Sequence, residues 1–305
     1  MSSPQLTQSV IICTKNRPTE LKSCISSLIN QKRKPDEIIV IDDGEIDRQI
    51  FQIISKLDIK FIYHKKQTPG LTKSRNIGVS LASGDIITFI DDDVILDSDY
   101  NFIIMTLFEN DIDNQIAGVT GGIILQQHPF RYLLLRLFFL DGLKPGSILP
   151  SGIGVLVKAS SKPSPIEVQW LSGCNMSYRK HIFHEFSFND RDYLEYAWGE
   201  DRDFSYQISK KYKLLGVPDA KLIHAKSPTH RLSTKQFGIM EIYNLHLFYK
   251  QHLPHKPKNY IAYSIAISGI IIKNLLKSFI PHHHRDSLQQ LTGNILGLYK
   301  SFTDK

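Results

Sequence analysis

The sequence predicts an α/β fold, an open and mostly parallel sheet flanked by helices. Over the first hundred residues, apolar runs of strand length alternate with segments of helical period, and the connections between them are short. Most of the strand-like runs are continuously apolar, which is typical of parallel strands buried on both faces. The chain of 305 residues is 42% hydrophobic and 22% charged, a composition typical of globular rather than disordered proteins.

The first elements can be assigned in chain order. Residues 9–14 (SVIICT) form a short β-rich run. From Thr19, the candidate N-cap, apolar residues recur at helical spacing at positions 21, 24, 25, 28 and 29. The remaining segments are a strand at 37–44, a helix at 46–57, a strand at 59–64, a helix at 71–82 and a strand at 85–90.

Beyond residue 125 the pattern is less regular. Residues 128–140 are apolar with two arginines, and the segment up to residue 165 is rich in Gly, Pro and Ser, which indicates irregular structure. The run at 260–272 is too short for a confident membrane span, which needs about 20 apolar residues. Because lysines flank this run, a buried helix and a helix at a membrane surface both stay open.

Charge and cysteine content limit the possible binding partners and the possible cellular compartment. The net charge of +7 suits an anionic partner: nucleic acid, a phosphorylated metabolite or an anionic membrane. Cys13, Cys24 and Cys174 are odd in number and contain no CxxC pair, which argues against a disulfide framework or a zinc ribbon. The N-terminus has no basic region before a long apolar run, so a signal peptide is not predicted. We therefore expect a cytoplasmic protein.

Polar clusters follow three predicted strands: TKNRP, DDG and DDD. Because ligands of open α/β sheets bind at the carboxyl ends of the strands, these clusters should converge on one crevice. A divalent cation would relieve the repulsion within DDD, and Asp91 and Asp93 would share a face of an extended segment. The alternative is a set of acids before a helix at 100–109, with Asp97 and Ser98 as caps. The sequence contains neither GxxxxGK[ST] nor GxGxxG after the first strand.

Three blocks, VIICTKNRP, VIDDG and GLTKSRNIGVSLASGDIITFIDDD, resemble in spacing and order the nucleotide-sugar half of family-2-type glycosyltransferases of the GT-A fold. WLSGCNMSYRK and WGEDRDFSYQ resemble the acceptor half of that family, so the resemblance covers roughly residues 9–228. It implies a nucleotide-sugar half at 1–125, an acceptor-binding and catalytic half at 126–230, and a C-terminal helical segment at 231–305. One departure is Glu45, where the family usually has Ser.

The resemblance implies a donor site with a divalent cation, Mn²⁺ or Mg²⁺. Asp93 would hold the cation on the diphosphate, Asp91 would lie near the ribose and the cation, and His224 would be a further ligand. For His224, a structural role in a strand is equally open. Asp92 is placed at the donor site, with its side chain turned away from its two neighbours. The remaining donor-site residues would be Thr14, Arg17, Asp42 or Asp43, Lys73 and Arg75, and for the last two a solvated helix face is the alternative.

The pair Glu200–Asp201 would serve the acceptor side. The resemblance implies an inverting single displacement in which Asp201 is the general base and Glu200 orients the base or the acceptor. Trp198 and Gly199 would offer a stacking face to a sugar, and Asn175 would support the acceptor site. The alternative for the acidic pair is a helix N-terminus, where carboxylates are favourable for the dipole alone.

The resemblance thus implies a metal-dependent, hexosyltransferase-like enzyme that uses a nucleoside-diphosphate sugar and a saccharide or lipid-linked acceptor in polysaccharide or glycolipid synthesis. No nucleic-acid partner is expected, and peripheral contact with the inner face of the cell membrane stays open.

A sugar nucleotidyltransferase is an alternative, but TKNRP replaces its Gly-rich, Arg-containing loop. A glycoside hydrolase also uses two carboxylates but needs no strand-end DDG. The acidic pair argues against an inactive nucleotide-sugar-binding membrane protein. Donor, acceptor, linkage and oligomeric state are left open.

Overall fold

The structure is a computed structural model that describes residues 5–45, 58–126, 129–193, 197–227, 229 and 232–304. The chain divides into two compact units. Unit 1 comprises residues 1–125, 156–195 and 200–230, and unit 2 comprises residues 126–155, 196–199 and 231–305. Unit 1 therefore combines the predicted nucleotide-sugar half with most of the predicted acceptor half.

Unit 1 is built on a nine-stranded sheet with the order β3-β2-β1-β4-β8-β6-β9-β5, and β7 pairs with β9. The strands are β1 (Gln8–Thr14), β2 (Glu37–Asp42), β3 (Lys60–Lys65), β4 (Ile86–Asp91), β5 (Val94–Leu96), β6 (Ile116–Ile123), β7 (Ile166–Val168), β8 (Asn175–Arg179) and β9 (Lys213–His224). The first four strands pair in parallel. Strand β8 is antiparallel to both β4 and β6, and β9 is parallel to β6. The predicted α/β class with an open sheet is confirmed.

Helices cover both faces of this sheet. In chain order, the α-helices among the described residues are α1 (Pro18–Ile29), α2 (Leu71–Leu81), α3 (Tyr100–Asn110), α4 (Pro129–Leu137), α5 (Glu200–Ser209), α6 (Thr234–His252), α7 (Pro257–Ser278) and α8 (His284–Thr303). Val10 and Ile12 of β1 pack in one cluster with α1 and α3, whereas Ile11 packs with residues of α5 on the opposite face. Burial on both faces explains why the strand sequences are continuously apolar.

Three predicted details of the helices differ from the structure or lie outside the described residues. Helix α1 begins at Pro18, with Arg17 rather than Thr19 at the N-cap position, because proline is favoured in the first helical turn. Strand β5 separates the DDD triplet from α3, whose N-cap is Asp99. The triplet is therefore not a set of helix-start acids. The predicted helix at 46–57 lies outside the described residues.

Unit 2 contains α4, α6, α7 and α8. Helix α8 packs on α6 and α7, and a buried polar chain crosses this interface. The Asn274 side chain donates to Asn294 Oδ1 (2.7 Å), and the Asn294 side chain donates to Glu241 (3.2 Å). Among the described helices, α7 alone is long and apolar enough to cross a membrane. However, 44% of its most apolar window is buried within the protein, and the core helix of a soluble protein meets the same criterion.

Candidate active site

Asp91, Asp93 and His224 form a cluster at the carboxyl ends of β4 and β9. Val94 pairs with His224 across β5 and β9, which places Asp93 beside the imidazole. His224 Nε2 lies 3.0 Å from Asp93 Oδ1 and 3.9 Å from Asp91 Oδ2. All three potential ligand atoms lie within 4.8 Å of one another. Two carboxylates and one imidazole are a donor set that fits a divalent cation such as Mn²⁺.

The charges within this cluster are strongly coupled. Burial raises the pKa of Asp93, but hydrogen bonds from the His224 side chain and the Ser227 N–H (2.9 Å) outweigh it and hold that pKa below its ordinary value. Burial lowers the pKa of His224, but the hydrogen bond to Asp93 outweighs it and raises the pKa to about 10. His224 is therefore a cation paired with Asp93, and a bound metal ion would replace its proton.

Asp92 is turned away from this cluster and towards the end of β1. Its Oδ2 accepts a hydrogen bond from Thr14 Oγ (2.7 Å), and its Oδ1 pairs with Arg17 Nη1 (3.0 Å). Burial raises the pKa of Asp92 to about 6. The Asp43 N–H also donates to the Thr14 carbonyl (2.9 Å), so the three strand-end clusters do converge. Thr14 and Arg17 thus hold Asp92, and their role in lining a nucleotide pocket stays a prediction.

Of the two acids in DDG, Asp43 is the more accessible. Asp42 is fully buried, and its carboxylate accepts hydrogen bonds from the Gly44 N–H (2.8 Å) and the Tyr63 hydroxyl (2.9 Å). Its carboxylate is committed to the protein, which argues against contact with a base or ribose. Asp43 lies 2.8 Å from Lys66 Nζ. Lys66 is a buried cation that the sequence interpretation missed, although its position directly after β3 was a readable signal.

Arg75 of α2 connects the cation cluster with the acidic pair. Its side chain is 3% exposed, its Nη1 forms an ion pair with Glu200, and its Nη2 lies 3.8 Å from Asp91 Oδ1. The guanidinium carbon also lies 5.4 Å from the ring centroid of Phe188. The alternative that Arg75 lies on a solvated helix face is therefore wrong, whereas Lys73 of the same helix is exposed.

The acidic pair lies at the N-terminus of α5. Asp201 is half-buried, and its carboxylate accepts hydrogen bonds from the Gly173 N–H (2.7 Å) and from the N–H of the following residue (2.8 Å). The Gly173 carbonyl accepts from Arg75 Nη2 (3.3 Å). Burial raises the pKa of Glu200 to about 8, and Arg75 opposes this shift. The backbone of one residue, Gly173, thus connects Arg75 with the carboxylate of Asp201.

The three residues predicted to support an acceptor have different environments. Asn175 is fully buried in β8, where its Oδ1 accepts from Thr120 Oγ (2.8 Å), so the structure does not show it at an accessible acceptor surface. Trp198 is half-buried in unit 2, and its carbonyl accepts a hydrogen bond from the Asn244 side chain (2.8 Å). Gly199 has a φ of +92°, a backbone conformation that favours glycine, directly before α5.

Comparisons with known proteins agree with this geometry. Residues 9–147 match the profile of the family described as Glycosyl transferase family 2. The hyaluronan synthase of Pasteurella multocida is 25% identical over 239 residues, which cover 72% of this chain and 24% of that protein. The GalNAc(5)-diNAcBac-PP-undecaprenol beta-1,3-glucosyltransferase of Campylobacter jejuni subsp. jejuni serotype O:2 is 39% identical over 89 residues, 28% of this chain and 29% of that protein. The chain thus spans less than a third of the length of these relatives.

One solved structure is similar in fold to this chain over the whole length of this chain. The mannosyltransferase PcManGT from Pyrobaculum calidifontis, in complex with GDP-Man and Mn²⁺, superposes with a TM-score of 0.59 at 13% identity. The match covers 100% of this chain and 89% of that one. At this identity the likeness concerns the fold alone, and it confirms the predicted GT-A type.

Proposed function

We propose that this chain transfers a sugar from a nucleoside-diphosphate sugar to an acceptor hydroxyl, with inversion, because residues 9–147 match the profile of Glycosyl transferase family 2 and the fold is of the GT-A type. One observation carries the proposal: Arg75 joins the cluster of Asp91, Asp93 and His224 to the acidic pair at the start of α5. A site that holds a cation next to a positioned carboxylate matches what such a transfer requires.

The donor would bind at the carboxyl ends of β1, β2 and β4. Asp91, Asp93 and His224 would hold a divalent cation, Mn²⁺ or Mg²⁺, which when bound stabilises the negative charge of the diphosphate. The PcManGT complex with GDP-Man and Mn²⁺ supports this class of donor and cation. Asp43 is the better candidate of the DDG acids for the nucleoside, since it is less buried than Asp42.

Asp201 is the proposed general base. Two backbone N–H groups orient its carboxylate, which would take the proton from the acceptor hydroxyl as that oxygen attacks the anomeric carbon. The bond from this carbon to the nucleoside diphosphate breaks in the same step, on the opposite side, which inverts the configuration. A positioned base of this kind contributes about 10²–10⁴-fold to the rate. Glu200, paired with Arg75, would fix the start of α5.

The acceptor is proposed to be a saccharide or a lipid-linked saccharide, within polysaccharide or glycolipid synthesis. The names of the two relatives support this class, since one is a hyaluronan synthase and the other is named for a saccharide linked to undecaprenol diphosphate.

The donor site can be tested by calorimetry with UDP, GDP and dTDP, with and without Mn²⁺. We expect one of these nucleotides to bind, and to bind only with the cation. Asp93→Asn should abolish this cation-dependent binding, whereas the control Asp97→Asn, at an exposed acid of the same segment, should leave binding unchanged. Binding that is independent of the cation, or the absence of binding to all three nucleotides, would contradict the proposal.

The base can be tested separately with Asp201→Asn. Because the amide cannot take the proton, transfer should fall by about 10²–10⁴-fold while donor binding is retained. The control Asp219→Asn replaces an acid with a side chain that is 54% exposed and should have no effect. If Asp201→Asn abolishes donor binding as well, its role is structural. A product that keeps the anomeric configuration of the donor would refute the inverting mechanism.

A further inference from the structure

The charge of the chain is divided unevenly between its two units. Unit 2 contains 13 of the 37 Lys and Arg residues but only 4 of the 30 Asp and Glu residues. Its formal charge is therefore +9, and the remainder of the chain, with 24 basic and 26 acidic residues, carries −2. The basic character that we first assigned to the whole protein belongs to unit 2 alone.

Unit 2 also exposes large apolar side chains on two neighbouring helices. On α4, the apolar residues recur at i, i+3 and i+7, and further ones lie in the last turn of α7 and directly after it. The most exposed of them are Phe130 (73%), Leu133 (54%), Leu137 (64%), Leu276 (62%), Phe279 (77%) and Ile280 (46%). These six residues are termed the apolar patch. Among the described side chains of α4, none is buried. A helix that buries so little of its apolar surface indicates a binding partner.

Helices α4 and α7 lie against each other, which brings the two parts of the patch together. Phe138, directly after α4, packs against Gly269, where an added Cβ would lie only 2.5 Å from the Phe138 Cβ. At the other end, Arg131 lies near Lys277. Burial, Lys273 and Arg131 all lower the pKa of Lys277, and Glu241 opposes them. Glu241 Oε1 lies 3.5 Å from Lys273 Nζ and compensates one of these three charges. The group keeps a net positive charge beside apolar side chains, which favours an anionic partner.

We propose that the apolar patch and its bordering cations, Arg131, Lys273 and Lys277, dock unit 2 on an anionic lipid surface. The apolar side chains would enter the boundary between headgroups and acyl chains, and the cations would contact lipid phosphates. This surface lies outside the proposed donor site, so the inference does not depend on the proposed function.

The burial of α7 argues for a helix that lies on the membrane rather than one that spans it. The buried side of α7 carries Asn274, whose side-chain amide donates a hydrogen bond to Asn294 on α8. If α7 crossed a membrane apart from α8, this polar side chain would enter the hydrocarbon core without its partner, which is energetically unfavourable. For the run at 260–272, a buried helix and a helix at a membrane surface were both left open. Its buried residues are Ala262, Tyr263, Ala266, Ile267, Gly269 and Ile270, whereas Tyr260 (64%), Ile261 (56%) and Ile272 (39%) are exposed. The run therefore packs one face in the protein, and the apolar patch lies at the end of the helix.

A second copy of the chain fits this surface less well than a lipid does. In a two-fold symmetric dimer, the same patch would face itself, so the three cations would be brought towards their own copies. Like charges at an interface disfavour association. An anionic lipid surface instead supplies the opposite charge to every one of them.

The test is co-sedimentation of the full chain with vesicles. We compare vesicles of phosphatidylcholine alone with vesicles of phosphatidylcholine and phosphatidylglycerol. Each cation near an anionic surface strengthens binding by roughly fivefold, so the protein should bind the anionic vesicles at least about tenfold more tightly. The double variant Arg131→Gln/Lys277→Gln should remove most of this preference, and Leu276→Gln/Phe279→Gln should weaken binding to both kinds of vesicle.

Matched controls are Lys34→Gln and Ile112→Gln, an exposed lysine and an exposed isoleucine of unit 1. Both should bind vesicles like the wild type, and equal thermal unfolding midpoints should show that every variant is folded. Equal binding to neutral and anionic vesicles, no binding to either, or unchanged binding of the double variants would overturn the proposal. The proposal would also be overturned if the wild type were a dimer in gel filtration and the Leu276→Gln/Phe279→Gln variant were a monomer, because the patch would then be an interface between copies.

Discussion

The ion pair between Arg75 and Glu200 allows a quantitative test of the site. The two side chains are 3% and 6% exposed, so neither charge can be compensated by water. The substitution Arg75→Met keeps most of the side-chain volume but leaves the Glu200 carboxylate buried without its cation. Breaking a buried pair in this way costs about 3–5 kcal/mol. Since the pKa of Glu200 is about 8, its carboxyl group is ionised in the wild type above that pH, and we expect the free energy of unfolding at about pH 9 to fall by that amount.

The loss should depend on pH and should be rescued by a second substitution. Arg75 lowers the pKa of Glu200, so its removal lets burial raise that pKa further. A carboxyl group whose pKa is higher in the folded than in the unfolded protein loses stability as the pH rises towards the folded value. Arg75→Met should therefore cost more at about pH 9, above the wild-type pKa of Glu200, than at about pH 6. Glu200→Gln in the same chain removes the buried charge and should restore at least about 2 kcal/mol.

Urea unfolding followed by tryptophan fluorescence can measure these values. Trp198→Phe leaves Trp170, which is buried in unit 1, as the sole tryptophan reporter. The control is Arg33→Met, since Arg33 pairs with Glu109 at 2.7 Å with side chains 14% and 24% exposed. This more accessible pair should contribute about 1 kcal/mol or less. The reasoning is refuted if Arg75→Met costs no more than Arg33→Met, or if Glu200→Gln rescues nothing.

Two further predictions concern the sheet. Burial raises the pKa of Glu37, but the contacts with Lys60 (2.7 Å) and the Ser83 N–H (2.6 Å) outweigh burial and lower that pKa. The ionised carboxylate therefore stabilises the fold at pH values above the pKa of Glu37 in the unfolded chain, and this stabilisation is lost as the pH falls through the folded pKa. Glu37→Gln should cost about 1.5–3 kcal/mol at neutral pH in urea unfolding, and a difference that does not shrink in acid would contradict the assignment. In Gly118→Ala, the new Cβ would lie 2.6 Å from the Tyr178 ring. Overpacking of this kind should cost about 1–3 kcal/mol, seen as a lower unfolding midpoint, unless Tyr178 moves freely.

Local patterns were sufficient to predict the first half of the sheet. Runs such as IITFID are apolar at every position because both of their faces are covered, and the structure gives β4 the bounds Ile86–Asp91 where 85–90 was expected. The convergence of Thr14, Asp43 and Asp92 also followed from the rule that parallel strands end at one edge. Strand ends were misplaced by one or two residues, since pairing partners rather than local sequence set where a strand stops.

Contacts between distant segments could not be read in this way. The pairing of Arg75 with Glu200 joins residues 125 positions apart, and no periodicity links them. A weak signal was present, because Thr72, Arg75 and Gly78 share one face of α2 and are all buried. Small residues on a helix face allow neighbouring elements to pack closely against that face. An arginine between two small residues on such a face is therefore expected to be buried. Asp42 was misjudged for the opposite reason, since two acids at a strand end resemble a ligand site while only one of them is accessible.

The opposite charges of the two units have a consequence for how the protein responds to salt. The sequence pI near 9.1 is an average of a basic unit and a slightly acidic one, and it describes neither. Long-range attraction of a negatively charged nucleotide cannot come from the unit that carries the proposed donor site, because its formal charge is −2. Under the proposed function, attraction there would act at short range, through a divalent cation held by Asp91, Asp93 and His224 and through buried cations such as Arg75 and Lys66, which are weakly screened. Ionic strength should then act mainly on the basic surface of unit 2, so salt can release the protein from an anionic support while leaving its affinity for the nucleotide nearly unchanged.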